Sequence, residues 1–578
     1  VKAEEGIKMK RKRVFIITSW LVLSLLYLLP MVDLSGLHLA VIRGDDYPFH
    51  FARIFSAIEQ LNTTGHIQPI ARFGEHDIFY GANIFYPTLT TVLPIALISM
   101  IVHSVISSVY VYLFLVNLLT FFIAYRCADY ISQLCFPKEN NRLRIFAPYV
   151  FSFFYVFSHY RMICFYQRFD LGEFFVLTLY PLVFAGFYSI LKDKGLKKHW
   201  LIIGLSLIAY SHLLSLMLVV VVLAVLFLVS LIRKNITINM FKQFLFSAVM
   251  TGLLSIGALL PIVYEMLTFP IRSVSVHDLA REASGLGTML VTSSVNYLNY
   301  MSIGLILLCS LVVGVYQVIW KKDSVIRHIP LLKQSLILSL VFMIMMTTLF
   351  PWRLLQHTPL SIIQFPFRLM PFLTIFGSFL GASLLADYLS QVKGLSVKKM
   401  TIGLSVGVVI LSTISVNVLM IHRSLDRLMF SKHDVVVTER YQKSVNKDYF
   451  PARLSSDQTK RIRDKIGLIN QREVSMPYSF DKDTAVINVT IKEKITSVET
   501  PIIGYSGLIV RDETGKKIKS TLSSSRTLVV LLSKGRHQLT VSYEPPLAIK
   551  YSGIISSLVA LCYGFYLVKT RKKDLPCD

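Results

Sequence analysis

From residue 14 to residue 568 the chain repeats apolar runs, many of them near or above twenty residues long, parted by polar stretches. A helix needs about 20 predominantly apolar residues to cross the hydrocarbon of a bilayer. In that solvent each backbone N–H and C=O must be satisfied within the protein, so such runs are expected to be helical. The sequence therefore predicts a polytopic α-helical membrane protein, as 54% hydrophobic against 16% charged residues suggests. The first run, 14–34, follows the basic cluster 10-KRKR-13 and lacks a small-residue cleavage site, so it reads as a retained helix.

A formal net charge of +26 invites a nucleic-acid reading until its location is considered. The stretches 1–13, 136–144, 192–199, 233–242, 321–333, 393–399 and 569–574 hold 27 of the 60 Lys and Arg but 6 of the 34 Asp and Glu. Basic residues gather in short cytoplasmic loops of membrane proteins, so this charge marks topology and no nucleic-acid partner is expected. The six cysteines are scattered, without metal-ligand spacing, and none falls in 35–107 or 421–550.

Alternating the basic loops with exterior ones threads twelve spans: 14–34, 108–134, 145–159, 174–191, two within 200–232, 243–266, 300–320, 334–350, 362–387, 400–420 and 552–568. Both termini are then cytoplasmic. The break within 200–232 is expected at 210-YSHLLS-215. The apolar run 85–104 carries Pro87 and Pro94 and is expected to be re-entrant or interfacial within an exterior loop, 35–107. Alternating patterns in 485-AVINVTI-491, 507-GLIVRD-512, 526-RTLVVLL-532 and 536-RHQLTVSYE-544 predict strands, with turns at Asp512–Gly515 and Ser533–Gly535. The expected organisation is a transmembrane domain over 1–420, an exterior β-sandwich over 421–550, and a final helix with a basic tail over 551–578.

Chemistry concentrates in two exterior loops. In 42-IRGDDYPFHFARI-54, Pro48 favours a helix start that Asp45 or Asp46 would cap. Asp46, His50 and Arg53 then share one face, and Phe49, Ile54 and Phe55 cover the other. A capped interfacial helix with a solvated face would use the same residues. The loop 158-SHYRMICFYQRFDLGEFF-175 supplies His159, Arg161, Arg168, Asp170 and Glu173. Asp170 and Glu173 open a helix, where complementing its dipole would account for one carboxylate. His212, in the 210–215 break, joins the candidates, with a satisfied core histidine as its plain alternative. Gln364 and Arg368 stand four apart at the start of the tenth span, where the arginine either snorkels to lipid or holds a substrate phosphate. The loop 267–299 adds Arg272, His277, Asp278, Arg281 and Glu282 with Gly285 and Gly287, a composition suited to a mobile lid.

Carboxylates and guanidinium groups at an outer membrane surface suit glycosyl transfer from a lipid-phosphate sugar. An aspartate takes the acceptor's proton while arginines stabilise the departing phosphate. There is no Walker A motif and no GxGxxG entering a helix. In 44-GDDYPFHFAR-53, 84-IFYPTL-89, 166-YQRFDLGEF-174 followed by Pro181, 211-SH-212, 364-QFPFR-368, 448-DYFPAR-453, 501-PIIGYSGLIV-510 and 535-GRHQLTVSYEPP-546, the chain resembles the YfhO-like, pyruvoyl-tetrahydropterin-synthase-related bacterial membrane proteins. These are counted among GT-C-fold glycosyltransferases.

The resemblance implies a GT-C fold with a catalytic aspartate in the first exterior loop. It also implies an undecaprenyl-phosphate-linked sugar donor and a cell-envelope acceptor such as teichoic or lipoteichoic acid, in a bacterial cytoplasmic membrane. The family's aspartate stands four before the histidine, which selects Asp46 as base with Asp45 assisting. Glu173 matches the second motif better than Asp170, because Phe169-Asp170-Leu171-Gly172 stands where small residues are expected. Glu173 joins the catalytic set, and His50, Arg53, Arg168, Asp170, His212, Gln364 and Arg368 form the expected substrate and lipid-phosphate set. Some GT-C enzymes use Mg or Mn. Asp45, Asp46, Asp170 and Glu173 offer ligands for one, although the available arginines argue for a metal-free site. The rival readings are a transporter or flippase of a lipid-linked saccharide, and a non-catalytic scaffold whose β-domain binds envelope polymer.

Overall fold

The structure, a computed structural model, describes residues 2–33, 38–42, 44–73, 78–269, 271, 277–422, 428–430, 449–452 and 454–573. Arg272, Asp448 and Arg453 lie outside the described residues, as does most of 421–448. The described chain is mostly helical and carries a C-terminal sheet. Among the described residues, 7 helices are long and apolar enough to cross a membrane: Val105–Cys135, Leu171–Lys192, Leu213–Ile232, Ile238–Thr268, Pro366–Gln391, Val397–Leu419 and Leu547–Thr570. Shorter apolar helices include Val14–Leu28, Val92–Val102, Lys198–Ala209, Leu305–Trp320 and Pro330–Met345.

These helices sort by how much of their apolar surface the protein covers. The Pro366–Gln391 segment is 89% buried, whereas Leu213–Ile232 is 22% buried and Leu547–Thr570 is 17% buried. Central helices join through stacked rings, Tyr180 on Phe372 at 5.6 Å and Phe342 on Phe372 at 5.2 Å. Outer helices turn Val225, Leu228, Phe565 and similar side chains outward.

Helix ends follow local chemistry. The first helix spans Lys2–Leu28 and stops short of residue 34, because Pro30 lacks an N–H and forces a short 3-10 turn, Leu29–Met31. Strands Val32–Asp33 and His38–Ile42 follow, and the second pairs with Leu428–Phe430. The run 85–104 resolves into Ala82–Phe85 and Val92–Val102. At 1.5 Å per residue, the second covers only about 16 Å. The 200–232 tract breaks at Tyr210–His212, where the His212 ring caps Leu213–Ile232. The expected helix from 362 starts only at Met370. Pro366 and Pro371 and a Gln364 φ of 63° hold its approach as two 3-10 turns, Pro359–Ile363 and Pro366–Leu369.

The β-region is one hydrogen-bonded sheet of eight strands around a single apolar core. Two long strands, Thr484–Ile503 and Thr527–Tyr543, run antiparallel through its whole width. Ile466–Ile469 and Tyr478–Asp481 flank the first; Leu508–Arg511 and Ser520–Leu522 flank the second. The Asp512–Gly515 turn forms, with the Asp512 carboxylate accepting from the Thr514 and Lys516 N–H groups. Ser533–Gly535 is instead a bulge within one strand. Ser533 pairs with Ile495 and Gly535 with Ile491, so Lys492–Lys494 stand opposite Lys534 alone.

The sheet is pinned to the helices at one corner. Glu265 in Ile238–Thr268 accepts from Ser506 N at 3.1 Å, and Phe269 lies against Tyr505 at 5.3 Å. Tyr505 is 1% exposed, packs on Gly81 and donates to Tyr449 O at 2.9 Å. Tyr505→Ala is expected to cost about 3–5 kcal/mol, as for other large buried aromatics, whereas Tyr505→Phe loses about 1 kcal/mol with its hydrogen bond. Thermal unfolding of the purified chain in detergent measures both, and equal losses would contradict the packing role.

Candidate functional site

The two early loops meet through their backbones. Asp45 N donates to Gln167 O at 3.2 Å and Asp46 N donates to Arg168 O at 2.8 Å. Gly44 permits that approach, since a Cβ there would lie 2.5 Å from the Arg168 carbonyl carbon. Phe169, at φ 58°, reverses the chain before the Leu171–Lys192 helix. Its ring packs 5.1 Å from Tyr47 and 5.5 Å from Phe51, on the helix that follows the paired aspartates.

Arg168 is the hub. One terminal nitrogen donates to Glu173 Oε2, and the other donates to Asp170 Oδ2 at 2.7 Å and Asp46 Oδ2 at 3.3 Å. Each carboxylate has further partners. Asp170 Oδ1 accepts from Tyr86 OH at 2.9 Å and from Glu173 N at 3.0 Å, so it also caps its helix. Glu173 Oε1 accepts from Tyr160 OH at 2.6 Å, and Arg368 lies 3.9 Å from Oε2. Burial works against the Arg168 charge, and Glu173, Asp170 and Asp46 more than offset it. For Asp170 burial pushes upward, but the Arg168 guanidinium holds the carboxyl well below the usual carboxylate range.

Asp46 differs from its neighbours. It is the member of the Asp45–Asp46 pair that occupies the N-cap position of Tyr47–Thr63, without a side-chain capping bond. The Asp170 and Glu173 side chains are 4% and 3% exposed, whereas Asp46 keeps 42% accessible. Protein still surrounds it on most sides. This enclosure pushes its carboxyl up to about 6, against the lowering effect of Arg168. Asp45, exposed beside it, accepts from Tyr300 OH.

Two histidines complete the inner wall. His50 Nε2 lies 3.8 Å from Asp170, and burial pushes the ring down to about 3. Burial also lowers His212, whose Nδ1 lies 2.8 Å from Ser215 Oγ. Both rings are thus neutral at neutral pH, and each lies 5.4 Å from the Tyr86 ring. Arg368 forms the opposite wall. Its Nη2 donates to Gln364 Oε1 at 3.1 Å, while Nε is buried without a partner. Beyond it His277, Phe365, Phe367 and Tyr300 form a stacked row with centroid spacings of 4.3, 5.2 and 4.4 Å.

The structure thus brings Asp45, Asp46, His50, Arg168, Asp170, Glu173, His212, Gln364 and Arg368 into one charged cluster. It turns Arg53 away: the fully buried guanidinium donates to Asn83 Oδ1 at 3.1 Å and to Tyr86 O, bracing the wall from behind. Arg161 points between helices to Asn117 Oδ1 at 2.9 Å, and His159 packs against Gly304. The described residues of the expected lid, from His277 onward, make hydrogen bonds to the 346–356 stretch. Gln356 holds Leu279 N and His277 O, Ser284 bonds to Met346 and Thr348, and Asp278 caps Ala280 and Arg281. His277 lies 3.7 Å from Glu282. Sequence reasoning missed Tyr86, Tyr160 and Tyr300, which each donate to a site carboxylate. Tyr86 and Tyr160 stand within stretches singled out above, but a tyrosine hydroxyl gives no sign in the sequence of the carboxylate it will meet. Among the described residues, no three His, Cys, Asp or Glu side chains group as a metal shell would. The acidic oxygens of Asp46, Asp170 and Glu173 converge on the Arg168 guanidinium.

No family model, no curated protein and no solved structure matches the chain.

Arg168→Ala would strand Asp170 and Glu173 as buried, uncompensated anions, at an expected cost of about 3–5 kcal/mol. Arg168→Lys, a single point of donation facing three carboxylates, should recover part of that loss. Gly44→Ala should separate the loops and destabilise comparably to a core defect, because rigid backbone blocks the added methyl. Unfolding in detergent, wild type against variant, measures all three, and a neutral Gly44→Ala would contradict the loop docking.

Proposed function

We propose that the chain is a multi-pass membrane glycosyltransferase of the GT-C type, as the YfhO-like resemblance implies. It moves a sugar from a polyprenyl-phosphate donor to a hydroxyl of a cell-envelope glycopolymer on the extracytoplasmic face. The observation that carries this reading is the asymmetry among three carboxylates on one arginine: two are sealed and fully bonded, and Asp46 alone is accessible and poised near neutrality. Membrane embedding is supported by 7 long apolar helices and the apolar side chains their outer members expose. Twelve spans with both termini cytoplasmic would place the cluster outside, since the basic 192–199 loop follows the far end of the helix that Asp170 caps.

The chemistry assigns separate roles. Asp46 takes the proton from the acceptor hydroxyl as its oxygen bonds to the anomeric carbon. The bond from that carbon to the phosphate oxygen breaks, and polyprenyl phosphate leaves. Arg368 is suited to receive that phosphate, because its Nε lacks a protein partner. Arg168 is a positioning residue, already committed to protein acceptors. Glu173 is a second one, as the support of Arg168, and Asp45 with Tyr300 borders the cluster. A saccharide carrier would be expected to place its ionisable residues nearer the bilayer midplane. Here Asp170 and Glu173 stand in the first turn of their helix.

Asp46→Asn, inserted normally, is expected to lose roughly 10²–10⁴-fold of transfer from a polyprenyl-phosphate sugar, the usual worth of a general base. Retained transfer would remove the assignment, and a carrier would lose vesicle flux while extracts still formed the glycosidic bond. Because the base must be ionised, kcat/KM should fall as pH drops through about 6, the value to which Asp46 is raised. An acidic limb near 4 would place the base elsewhere. Arg368→Lys should restore only part of the activity lost in Arg368→Ala, and full rescue would argue against bidentate phosphate binding.

A further inference from the structure

A second site lies at the opposite end of the helices. There Val105–Cys135, Leu171–Lys192, Leu213–Ile232, Pro330–Met345 and Met370–Gln391 leave a crevice of about 610 Å³ between them. Its mouth is formed by Lys192 and Arg233, and its interior by Phe184, Phe187, Phe376 and Phe379. Lys192 ends the helix that Asp170 begins, so the mouth is roughly 30 Å from Arg168 along that helix. The volume falls within the range of about 300–1,000 Å³ typical of pockets that enclose a small ligand.

Charge narrows the choice of occupant. Lys192 and Arg233 are exposed, and neither has an ion-pair partner among the described residues. Lys194, Lys197, Lys198, Lys234 and Lys242 extend the basic rim in sequence. The one acid among these loops, Asp193, accepts from Tyr130 OH at 2.7 Å. An aromatic interior under a cationic rim matches an apolar chain that ends in a phosphate.

We propose that this crevice binds one anionic glycerophospholipid from the leaflet opposite the Arg168 cluster. An acyl chain lies against the four phenylalanines, and the headgroup phosphate is held at the mouth by Lys192 and Arg233. The proposal rests on membrane embedding and is independent of the glycosyl-transfer reading.

The full chain, delipidated in detergent, is incubated with phosphatidylglycerol or phosphatidylcholine and examined by native mass spectrometry. One retained phosphatidylglycerol per chain is expected, weakened about tenfold or more in the K192Q/R233Q double variant, given about one phosphate-directed contact from each side chain. The lipid-free double variant should melt as the wild type does. Ala185→Phe, which narrows the crevice from its wall, should displace the lipid with the rim intact. Equal retention of phosphatidylcholine, undiminished binding by the double variant, or preferential retention of polyprenyl phosphate would overturn the proposal. Competition by inorganic phosphate alone would reduce it to an anion site. Transfer activity is not the readout, so loss of the transferase reading leaves the result interpretable.

Discussion

One buried guanidinium organises the extracytoplasmic end proposed for this molecule. Arg168 is shared among three carboxylates, and taking any of these charges out of water costs several kcal/mol unless it is paired and hydrogen-bonded. The surroundings meet that demand group by group. Tyr86 and a helix N-terminus serve Asp170, Tyr160 and Arg368 serve Glu173, and the accessible edge of the cluster serves Asp46. Since Asp46 and Arg368 come from segments other than that of Arg168, Asp170 and Glu173, completing the cluster requires the loops after the first helix, before the Leu171–Lys192 helix and before the Met370–Gln391 helix to be in place together.

That requirement gives the irregular backbone a purpose. Phe169 and Gln364 both sit at positive φ, and both adjoin a segment whose arginine joins the cluster. The sheet contributes at a distance. Tyr449 stacks on Phe85 at 5.0 Å, and Phe85 precedes the tyrosine that holds Asp170. Arg53 supports the same tyrosine through its backbone carbonyl. The β-region is thereby connected to the charged centre through two rings and one residue of chain.

Helix positions were legible because apolar length is a strong signal, and the shortness of the Val92–Val102 helix accords with the prolines of 85–104. Misplaced ends, at Leu28 and Met370, fell where proline overrides hydrophobic patterning. The strand pattern was legible, but the continuity of the two long strands through the bulge was not. A single residue facing three across a bulge looks, in one dimension, like a turn. In the site, acidic and basic residues were found by their presence in greasy surroundings. Their direction was not, because spacing on a helix does not say which neighbour will fill a face. Arg53 shares a face with Asp46 by count, yet it ends behind Tyr86.

The same geometry bears on which carboxylate the proposed transfer would use. Glu173 has the more perturbing surroundings, with Arg168, Tyr160 and Arg368 about it, yet those contacts consume its lone pairs and exclude an acceptor hydroxyl. Asp45 is open but lies outside the ring of charges, held by Tyr300. Asp46 alone combines access with enclosure. With Asp46, Asp170 and Glu173 facing Arg168 and Arg368, ionised carboxylates exceed cations by one, so the proton most easily shared belongs to the member nearest water. A sealed pair of carboxylates that fixes the arginine, and an open third that borrows it, lets one cation serve both the stability of the fold and the protonation of the proposed base.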